Sequence, residues 1–356
     1  MKILTIFGTR PEIIRLSLII KKLDQLCNHK ILHTGQNYTH NLSNKFFEEM
    51  QIRKPDVILN NYYSTQSAQI GSILEGTEKL LNEFEPDKVL ILGDTNSGLA
   101  SIICKRKGIP VYHMEAGNRC YDERVPEENN RKIIDAISTI NMPYTELSRQ
   151  NLLREGLPNN KIITTGNPIK EVISYYQKQI NQSPIINKLK LTSGNYVIAT
   201  AHRAENVDTK NSLENIIQAL KEISREQEVV FSCHPRTKEK LKEFNIDCSN
   251  IKVIEPIGFF DFVHLEQHCY MAVSDSGTVQ EELCLFGKPT ITIRETTERP
   301  ETVMCGSNLV SGLNKNNIVD CYNVAKTISK WKIPVEYNCD NVSDIVIGIL
   351  NGNNRF

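Results

Sequence analysis

This sequence lacks a net charge, an export signal and metal-binding cysteine spacings. Its 356 residues carry 42 Lys plus Arg against 42 Asp plus Glu, and no run of like charge forms a stripe for nucleic acid. The apolar start meets Gly8, Arg10 and Pro11 after about seven residues, too few for a signal-peptide core or a membrane-spanning helix. These absences predict a cytoplasmic protein that binds neither nucleic acid nor membrane.

The ten cysteines do not indicate a metal site. No two of them are spaced as C-x-x-C, and without an export signal we expect reduced thiols. The G-x-G-x-x-G fingerprint of dinucleotide-binding folds is also missing after the first apolar run. The sequence therefore predicts neither a metal ion nor a nicotinamide cofactor.

Short apolar runs alternate regularly with amphipathic stretches. In the first half the runs are ILTIF, KILHT, KVLILG and PVYHME, followed by helical patterns at 11–26, 40–50, 96–107 and 127–140. In the second half the apolar runs are YVIATAH, VVFSCH, IKVIEP, MAVSDSG and PTITIR. Alternation of this kind predicts β-α-β units on parallel sheets.

The length predicts two domains, because one hydrophobic core rarely serves 356 residues. We predict an α/β protein in which two Rossmann-like doubly wound domains face a cleft. The first domain is placed at 1–168 and the second at 195–338. The polar stretch 169–194 interrupts the alternation and is predicted as the hinge region.

Polar residues follow the predicted strands of the first half, where parallel sheets bind their ligands. Arg10 and the Gly-Thr turn before it suit a phosphate, and a tight turn with a surface arginine is the alternative. Asp94 is either a helix cap or a catalytic carboxylate. Glu115 stands where no cap is needed, which favours acid-base chemistry. Glu127 and Glu128 open a helix, where acids also complement the helix dipole without any function.

The second half carries its polar residues at equivalent positions. His202 and Arg203 follow the first strand and His234 follows the next, although a packed strand-end histidine is the alternative for His202. The run SDSGT at 274–278 is the strongest local signal, because small residues at a strand-to-helix junction let backbone amides approach a diphosphate. Glu282, one turn into that helix, is placed to accept from ribose hydroxyls.

Several motifs, taken in order, resemble those of the non-hydrolysing UDP-N-acetylglucosamine 2-epimerases. They are GTRPE, GDT, MEAG, PEE-x-NR, TGN, HR-x-EN, DSG-x-x-QEE, GKP and TTERPE. The resemblance implies a two-domain fold like that of GT-B glycosyltransferases, with residues 339–356 as a helix that crosses back to the first domain. It also implies a UDP-sugar substrate, a homodimer and a role in making surface polysaccharide precursors.

The same resemblance assigns roles by motif. Acid-base carboxylates fall on Asp94, Glu115 and Glu127, and a catalytic-site histidine falls on His202. The substrate-binding positions are Arg10, Arg131, Arg203, Ser276, Gly277, Thr278 and Glu282. Gln36 and His234 match positions of a second site or loop, and no metal or other cofactor is implied.

Three stretches depart from the commoner family pattern. GQNYT at 35–39 replaces a Q-H-R-x-M-like stretch that helps bind a second, activating substrate molecule, and Thr278 gives DSGT in place of DSGG. MEAGNRCYD followed by V-P-E replaces EAGLRT and W-P-E-E. That version is more similar to the branch that converts UDP-2-acetamido-2,6-dideoxy-L-talose to UDP-N-acetyl-L-fucosamine.

The expected reaction is inversion at C2 of a UDP-2-acetamido sugar by elimination and re-addition of UDP. Three alternatives stay open at this point. They are a GT-B glycosyltransferase, a hydrolysing epimerase, and a sugar-nucleotide sensor without catalytic activity.

Overall fold

The structure, a computed structural model, describes residues 1–36, 46–59, 63 and 65–352. The chain divides into two compact units. One comprises Met1–Ser174 together with Val335–Phe356, and the other comprises Tyr175–Pro334. Each unit contains one six-stranded sheet, and every strand pairing in both sheets is parallel.

The first sheet has the strand order β3-β2-β1-β4-β5-β6. Its strands are β1 Lys2–Phe7, β2 Asn28–His33, β3 Val57–Ile58, β4 Lys88–Leu92, β5 Val111–Met114 and β6 Ile140–Met142. Thr5 in β1 pairs with Ile31 on one side and Leu90 on the other, which makes β1 a central strand. A parallel strand covered on both faces is predominantly apolar, and ILTIF is apolar except for Thr5, whose buried hydroxyl lies 2.8 Å from His29 Nε2.

The second sheet has the strand order β12-β11-β10-β7-β8-β9. Its strands are β7 Tyr196–Thr200, β8 Glu228–Ser232, β9 Lys252–Ile254, β10 Met271–Ser274, β11 Thr290–Thr292 and β12 Asn308–Val310. Counted from its own first strand, this order is the same as that of the first sheet. Both orders are the doubly wound arrangement that the alternating pattern predicted.

Helices connect the strands in both units. In chain order they are α1 Arg10–Leu26, α2 Gln66–Phe84, α3 Ser101–Arg106, α4 Pro126–Ile137, α5 Glu146–Arg154, α6 Ile169–Asn181, α7 Ile185–Lys188, α8 Ala204–Val207, α9 Lys210–Ile223, α10 Pro235–Glu243, α11 Phe259–His268, α12 Gly277–Phe286, α13 Pro300–Met304, α14 Lys315–Ala325 and α15 Val342–Asn351. Short 3₁₀ helices occupy Asn96–Ala100, Asn159–Lys161 and Val335–Tyr337, and residues 46–49 are also helical. None of the described helices is both long and apolar enough to cross a membrane.

The core of each unit lies between its sheet and the apolar faces of its helices. In the first unit, Leu4 and Ile91 of the sheet cluster with Ile73 and Leu81 of α2. In the second unit, Val197 and Phe231 cluster with buried residues of α9. The C-terminal helix α15 belongs to the first unit, where it packs on α1 and Lys22 donates to the Ser343 hydroxyl at 2.8 Å.

Each sheet has one switch point, where neighbouring strands connect in opposite directions across the sheet. It lies between β1 and β4 in the first sheet and between β7 and β10 in the second. Loops that leave the carboxyl ends of these strands diverge and leave room for a ligand. The GTRPE, GDT, HR-x-EN and DSGT motifs follow these four strands.

Candidate active site

In the first unit, the loops after β1 and β4 are joined by a buried carboxylate, Glu12. Its Oε2 accepts from the amides of Gly8 at 2.6 Å and Thr9 at 2.9 Å, and its Oε1 accepts from the Thr95 hydroxyl at 2.7 Å. Burial raises the pKa of Glu12 to about 7, although these three hydrogen bonds oppose the shift. By sequence Glu12 is an ordinary first-turn acid, so its structural role was not predicted.

Arg10 is the first residue of α1 and is partly buried beside these loops. Its guanidinium lies 5.6 Å from the centre of the Phe46 ring, and burial lowers its pKa. No carboxylate among residues 1–36, 46–59, 63 and 65–352 forms an ion pair with it. A partly buried guanidinium at a helix N-terminus is suited to an anionic ligand.

Asp94 follows β4 and is held by the side chain of Arg131. The Arg131 Nε donates to Asp94 Oδ2 at 3.1 Å, and the Asn130 amide donates to the Asp94 carbonyl at 3.0 Å. Arg131 is buried and also pairs with Glu128, at 2.6 Å. The structure therefore brings the predicted residues Asp94 and Arg131 into direct contact.

Glu115 occupies a strained position at the end of β5. Its φ of 65° lies in the left-handed region, which is uncommon for a residue with a side chain and is often found at functional sites. Arg15 donates to Glu115 Oε2 at 2.7 Å, and the Asn118 amide donates to Oε1 at 3.2 Å. Arg15 is 100 residues away in the chain and was missed, because nothing in its sequence context distinguishes it from a helix-surface arginine.

Three buried residues, His113, Arg119 and Asp135, interact with one another and hold the loop that carries Glu115. The Asp135 carboxylate accepts from the Gly117 amide at 3.1 Å and pairs with Arg119 at 2.8 Å. The His113 ring bridges Asp135 at 2.9 Å and the Gly93 carbonyl at 2.8 Å, so it links the Glu115 and Asp94 loops. Burial alone would raise the pKa of Asp135, but His113 and Arg119 lower it below its ordinary value.

The two acids that open α4 have different environments. Glu128 is fully buried and accepts from the amides of Cys120, at 3.0 Å, and Tyr121, at 3.2 Å. These bonds give Glu128 a structural role in shaping the loop after Glu115. Glu127 is partly exposed on the first turn of α4, so it is the one that remains accessible to a ligand.

In the second unit, Asp275 organises the loop after β7. Its Oδ2 accepts from the amides of His202 at 2.7 Å and Arg203 at 2.9 Å, and from the Asn206 side chain at 3.0 Å. His202 Nδ1 lies 2.8 Å from Oδ1. Burial would raise the pKa of Asp275, but His202 and the two amides lower it well below its usual range. Asp275 lies within a motif singled out above, yet its supporting role was not predicted.

The N-terminus of α12 follows Asp275 directly. The hydroxyls of Ser276 and Thr278 lie 3.0 Å apart, and a Cβ added at Gly277 would lie 2.9 Å from Glu298 Oε1. Gly277 therefore allows close packing against the charged loop after β11. In that loop Glu298 pairs with Arg294, at 2.6 Å, and with Arg203, at 3.3 Å.

The two predicted second-site residues lie in different units. Gln36 follows β2 and accepts from the Ser97 hydroxyl at 3.5 Å, while residues 37–39 of the same motif lie outside the described part of the chain. His234 caps α10, and its ring centre is 6.1 Å from that of His202. All ten cysteines are free, and in the described ranges no group of three His, Cys, Asp or Glu residues is arranged to hold a metal ion.

Comparison with known proteins gives a consistent assignment. The sequence profile of the UDP-N-acetylglucosamine 2-epimerase family matches residues 21–347. A UDP-N-acetylglucosamine 2-epimerase of Methanocaldococcus jannaschii is 40% identical over 94% of this chain and 95% of that protein. A UDP-2,3-diacetamido-2,3-dideoxy-D-glucuronate 2-epimerase of Pseudomonas aeruginosa is 36% identical over 90% of this chain and 91% of its own.

Solved structures agree with this. The crystal structure of the Methanocaldococcus jannaschii UDP-GlcNAc 2-epimerase in complex with UDP-GlcNAc and UDP superimposes with a TM-score of 0.93 at 38% identity, over 98% of this chain and 99% of that one. The resemblance inferred from the motifs is thereby confirmed, whereas the individual residue roles stay predictions. The chain belongs to the UDP-N-acetylglucosamine 2-epimerase family, whose members are isomerases.

Proposed function

We propose that this protein inverts C2 of a UDP-2-acetamido sugar by eliminating UDP and adding it back. The observation that carries the proposal is the set of carboxylates held at the strand ends of the first sheet, Asp94 and Glu115 by arginines and Glu127 at the start of α4. Family membership supports the reaction type, and the solved relative in complex with UDP-GlcNAc and UDP supports the ligand class.

The chemistry of the substrate explains why elimination is required. C2 has no neighbouring carbonyl, so its proton is not acidic enough to be removed through an enolate. C1 carries UDP, a good leaving group, and loss of UDP with the C2 proton gives a 2-acetamidoglycal. Re-addition of UDP, with a proton delivered to the opposite face of C2, gives the epimer. The route needs a general base, a general acid and donors for the departing diphosphate.

The carboxylates of the first unit are assigned the proton transfers. Glu115 is oriented by Arg15 and Asn118, and Asp94 is oriented by Arg131, so each presents a fixed carboxylate rather than a freely rotating one. Glu127 is partly exposed and is proposed as a third carboxylate that takes part in these proton transfers.

The donors of the two switch points are assigned to UDP. In the second unit His202 and Arg203 are fixed by Asp275, and the N-terminus of α12 directs backbone amides towards a diphosphate. Arg10 adds a cation, and Glu282 is assigned to the ribose hydroxyls. A homodimer is a further proposal that rests on the family resemblance, and the cytoplasmic location predicted from the sequence is likewise a proposal.

Product analysis in D₂O tests the proposed function. We expect the purified protein to convert a UDP-2-acetamido sugar into its C2 epimer with deuterium incorporated at C2, observed by proton NMR. Accumulation of free sugar with UDP would instead indicate a hydrolysing epimerase. Sugar transfer to an acceptor would indicate a glycosyltransferase. Binding without any product, from UDP-GlcNAc or from UDP-2-acetamido-2,6-dideoxy-L-talose, would indicate a sugar-nucleotide sensor.

The sugar itself is proposed from the residues beside Glu115. We assign UDP-2-acetamido-2,6-dideoxy-L-talose as the preferred substrate, and UDP-GlcNAc is the second candidate because the relatives described above include enzymes named for it. Asn118 and Cys120 depart from the commoner EAGLRT pattern. In the structure Asn118 contacts Glu115, and the Cys120 sulphur lies 3.3 Å from Glu128. Asn118 therefore contacts a proposed catalytic carboxylate directly, and Cys120 contacts the acid that shapes the same loop, so both substitutions are suited to altering sugar selectivity.

A further inference from the structure

Glu266 is an acidic residue in an apolar position of the second unit. It lies on α11, and the residues three positions before and after it, Val263 and Cys269, are 0% exposed. Glu266 is itself 0% exposed, and neither of its carboxyl oxygens has a hydrogen-bond donor in the part of the chain that the structure describes. An ionised carboxylate in such surroundings would be strongly disfavoured.

The neighbour that matters is Glu282 on α12. Helix α11 packs against α12, and the two carboxyl groups lie within hydrogen-bonding reach of each other. Glu282 is only 5% exposed, so both acids are removed from bulk water. Two carboxylates can form a hydrogen bond only when one of them carries a proton, and two buried like charges at contact distance do not both ionise.

The other titratable groups around Glu266 supply neither a hydrogen bond to its carboxyl oxygens nor a charge that would stabilise its ionised form. Tyr196 of β7 donates its hydroxyl to the Leu265 carbonyl at 2.7 Å, and the Cys269 thiol donates to the Glu266 backbone carbonyl at 3.2 Å. Burial raises the pKa of both groups, so neither is an anion near neutral pH. The positive charge of Lys288 lowers the pKa of the Cys269 thiol, whereas the pKa of Glu266 responds to burial and to Glu282.

We propose that Glu266 is a neutral carboxylic acid whose O–H donates a hydrogen bond to the Glu282 carboxylate, and so keeps Glu282 ionised and oriented for the ribose hydroxyls of UDP. Glu266 is then a positioning residue, since it acts through Glu282 rather than on the ligand. The part that concerns UDP rests on the proposed function, whereas proton sharing between the two acids does not.

The direction in which the shared proton affects stability follows from linkage. Burial and the neighbouring Glu282 raise the pKa of Glu266 well above its ordinary value. The folded protein then holds a proton that the unfolded chain has already released, so folding becomes less favourable as the pH rises above the unfolded pKa of Glu266. Glutamine resembles the neutral acid in shape and donates to Glu282, but it does not titrate.

The first test measures thermal unfolding of the ligand-free protein between about pH 5 and 9. This interval lies above the pKa of an unfolded glutamate, where the shared proton should affect stability. We expect Glu266→Gln to match the wild type at the acid end and to exceed it increasingly in Tm as the pH rises. Glu255→Gln, at an exposed acid of the same unit, serves as the matched control, and its Tm should change with pH in parallel with the wild type. Parallel curves for Glu266→Gln and the wild type would overturn the shared proton.

The second test measures UDP affinity by calorimetry at neutral pH. Glu266→Gln keeps a donor to Glu282 and should bind UDP within about twofold of the wild type, whereas the apolar Glu266→Met should bind about tenfold more weakly, the usual effect of one lost hydrogen bond. Equal affinity in the two variants would overturn the positioning role. Glu282→Ala separates this from the ribose assignment, because an unchanged UDP affinity in that variant contradicts the proposed function and leaves the pH test intact.

Discussion

At the scale of single residues, several acids of the first unit have structural roles that their contacts define. Glu12 and Glu128 use their oxygens on backbone amides, and Asp135 neutralises a buried arginine. Glu115 instead accepts from the side chains of Arg15 and Asn118, and Glu127 is partly exposed at the start of α4. The sequence could mark Glu115, because it ends an apolar strand, but it could not separate Glu127 from Glu128. That distinction depends on which face of α4 is buried.

The first prediction concerns the acid-base assignment. Glu115→Gln and Glu127→Gln should each lower turnover at least about a hundredfold while UDP still binds, because a positioned acid or base contributes on that order. Steady-state rates and UDP affinity check it. Glu123→Gln, at an exposed position of the same loop, is the control and should keep full turnover. Near-normal turnover in either active-site variant would remove that residue from the proton transfer.

Glu12 gives a prediction about pH. Its pKa is raised from 4.5 to about 7, so the folded protein holds a proton through this range and stability falls as the pH rises through about 7. This rise in pKa corresponds to a change of about 3 kcal/mol in the free energy of unfolding across the titration. In Glu12→Gln this loss should disappear, and its Tm relative to the wild type should rise between pH 5 and 8 and level off above that. A constant difference in Tm across this pH range would rule out titration of Glu12.

At the scale of elements, the strand and helix alternation was readable because central parallel strands are apolar on both faces. The three strands that were not predicted, β3, β6 and β12, have only two or three residues each and are edge strands. Their segments carry too little periodicity to identify, whereas the equally short β9 and β11 lie within the longer runs IKVIEP and PTITIR. The predicted helix at 40–50 is helical at 46–49, and residues 40–45 lie outside the described part of the chain.

The loop after β7 supplies the third prediction. Asp275→Asn should weaken UDP binding about tenfold or more. The substitution removes the negative charge beside His202, and an asparagine cannot accept all the hydrogen bonds that fix His202, Arg203 and Asn206. It should also lower Tm at neutral pH. Because the pKa of Asp275 is depressed, its contribution is present above the unfolded pKa and is lost as the pH falls through the folded value.

Calorimetry with UDP and thermal unfolding at neutral pH measure both effects. Asp247→Asn is a suitable control, because Asp247 pairs with Lys221 on the surface of the same unit and surface pairs contribute little. An Asp275→Asn protein with unchanged UDP affinity would show that the β7 loop does not depend on this carboxylate for binding.

At the scale of the whole molecule, the family was predictable because its motifs follow strand ends in a fixed order. The sugar is harder to predict, because relatives with similar overall identity are named for different substrates. The Methanocaldococcus jannaschii protein is 40% identical and named for UDP-GlcNAc, and the Pseudomonas aeruginosa protein is 36% identical and named for a diacetamido glucuronate. Overall identity therefore does not determine the sugar, and we expect the residues beside the carboxylates to select it.

The last prediction follows from those residues. We expect slow or absent epimerisation of UDP-GlcNAc and faster conversion of UDP-2-acetamido-2,6-dideoxy-L-talose, measured by NMR under matched conditions. A gluco sugar presents a C6 hydroxyl, the opposite configuration at C5 and different ring-hydroxyl orientations to the loop that carries Asn118 and Cys120. A pocket built for one pattern leaves buried polar groups unpaired with the other, and such mismatches separate substrates by orders of magnitude. Rapid, reversible UDP-GlcNAc epimerisation without measurable activity on the L-talose sugar would instead assign the protein to the main branch of the family.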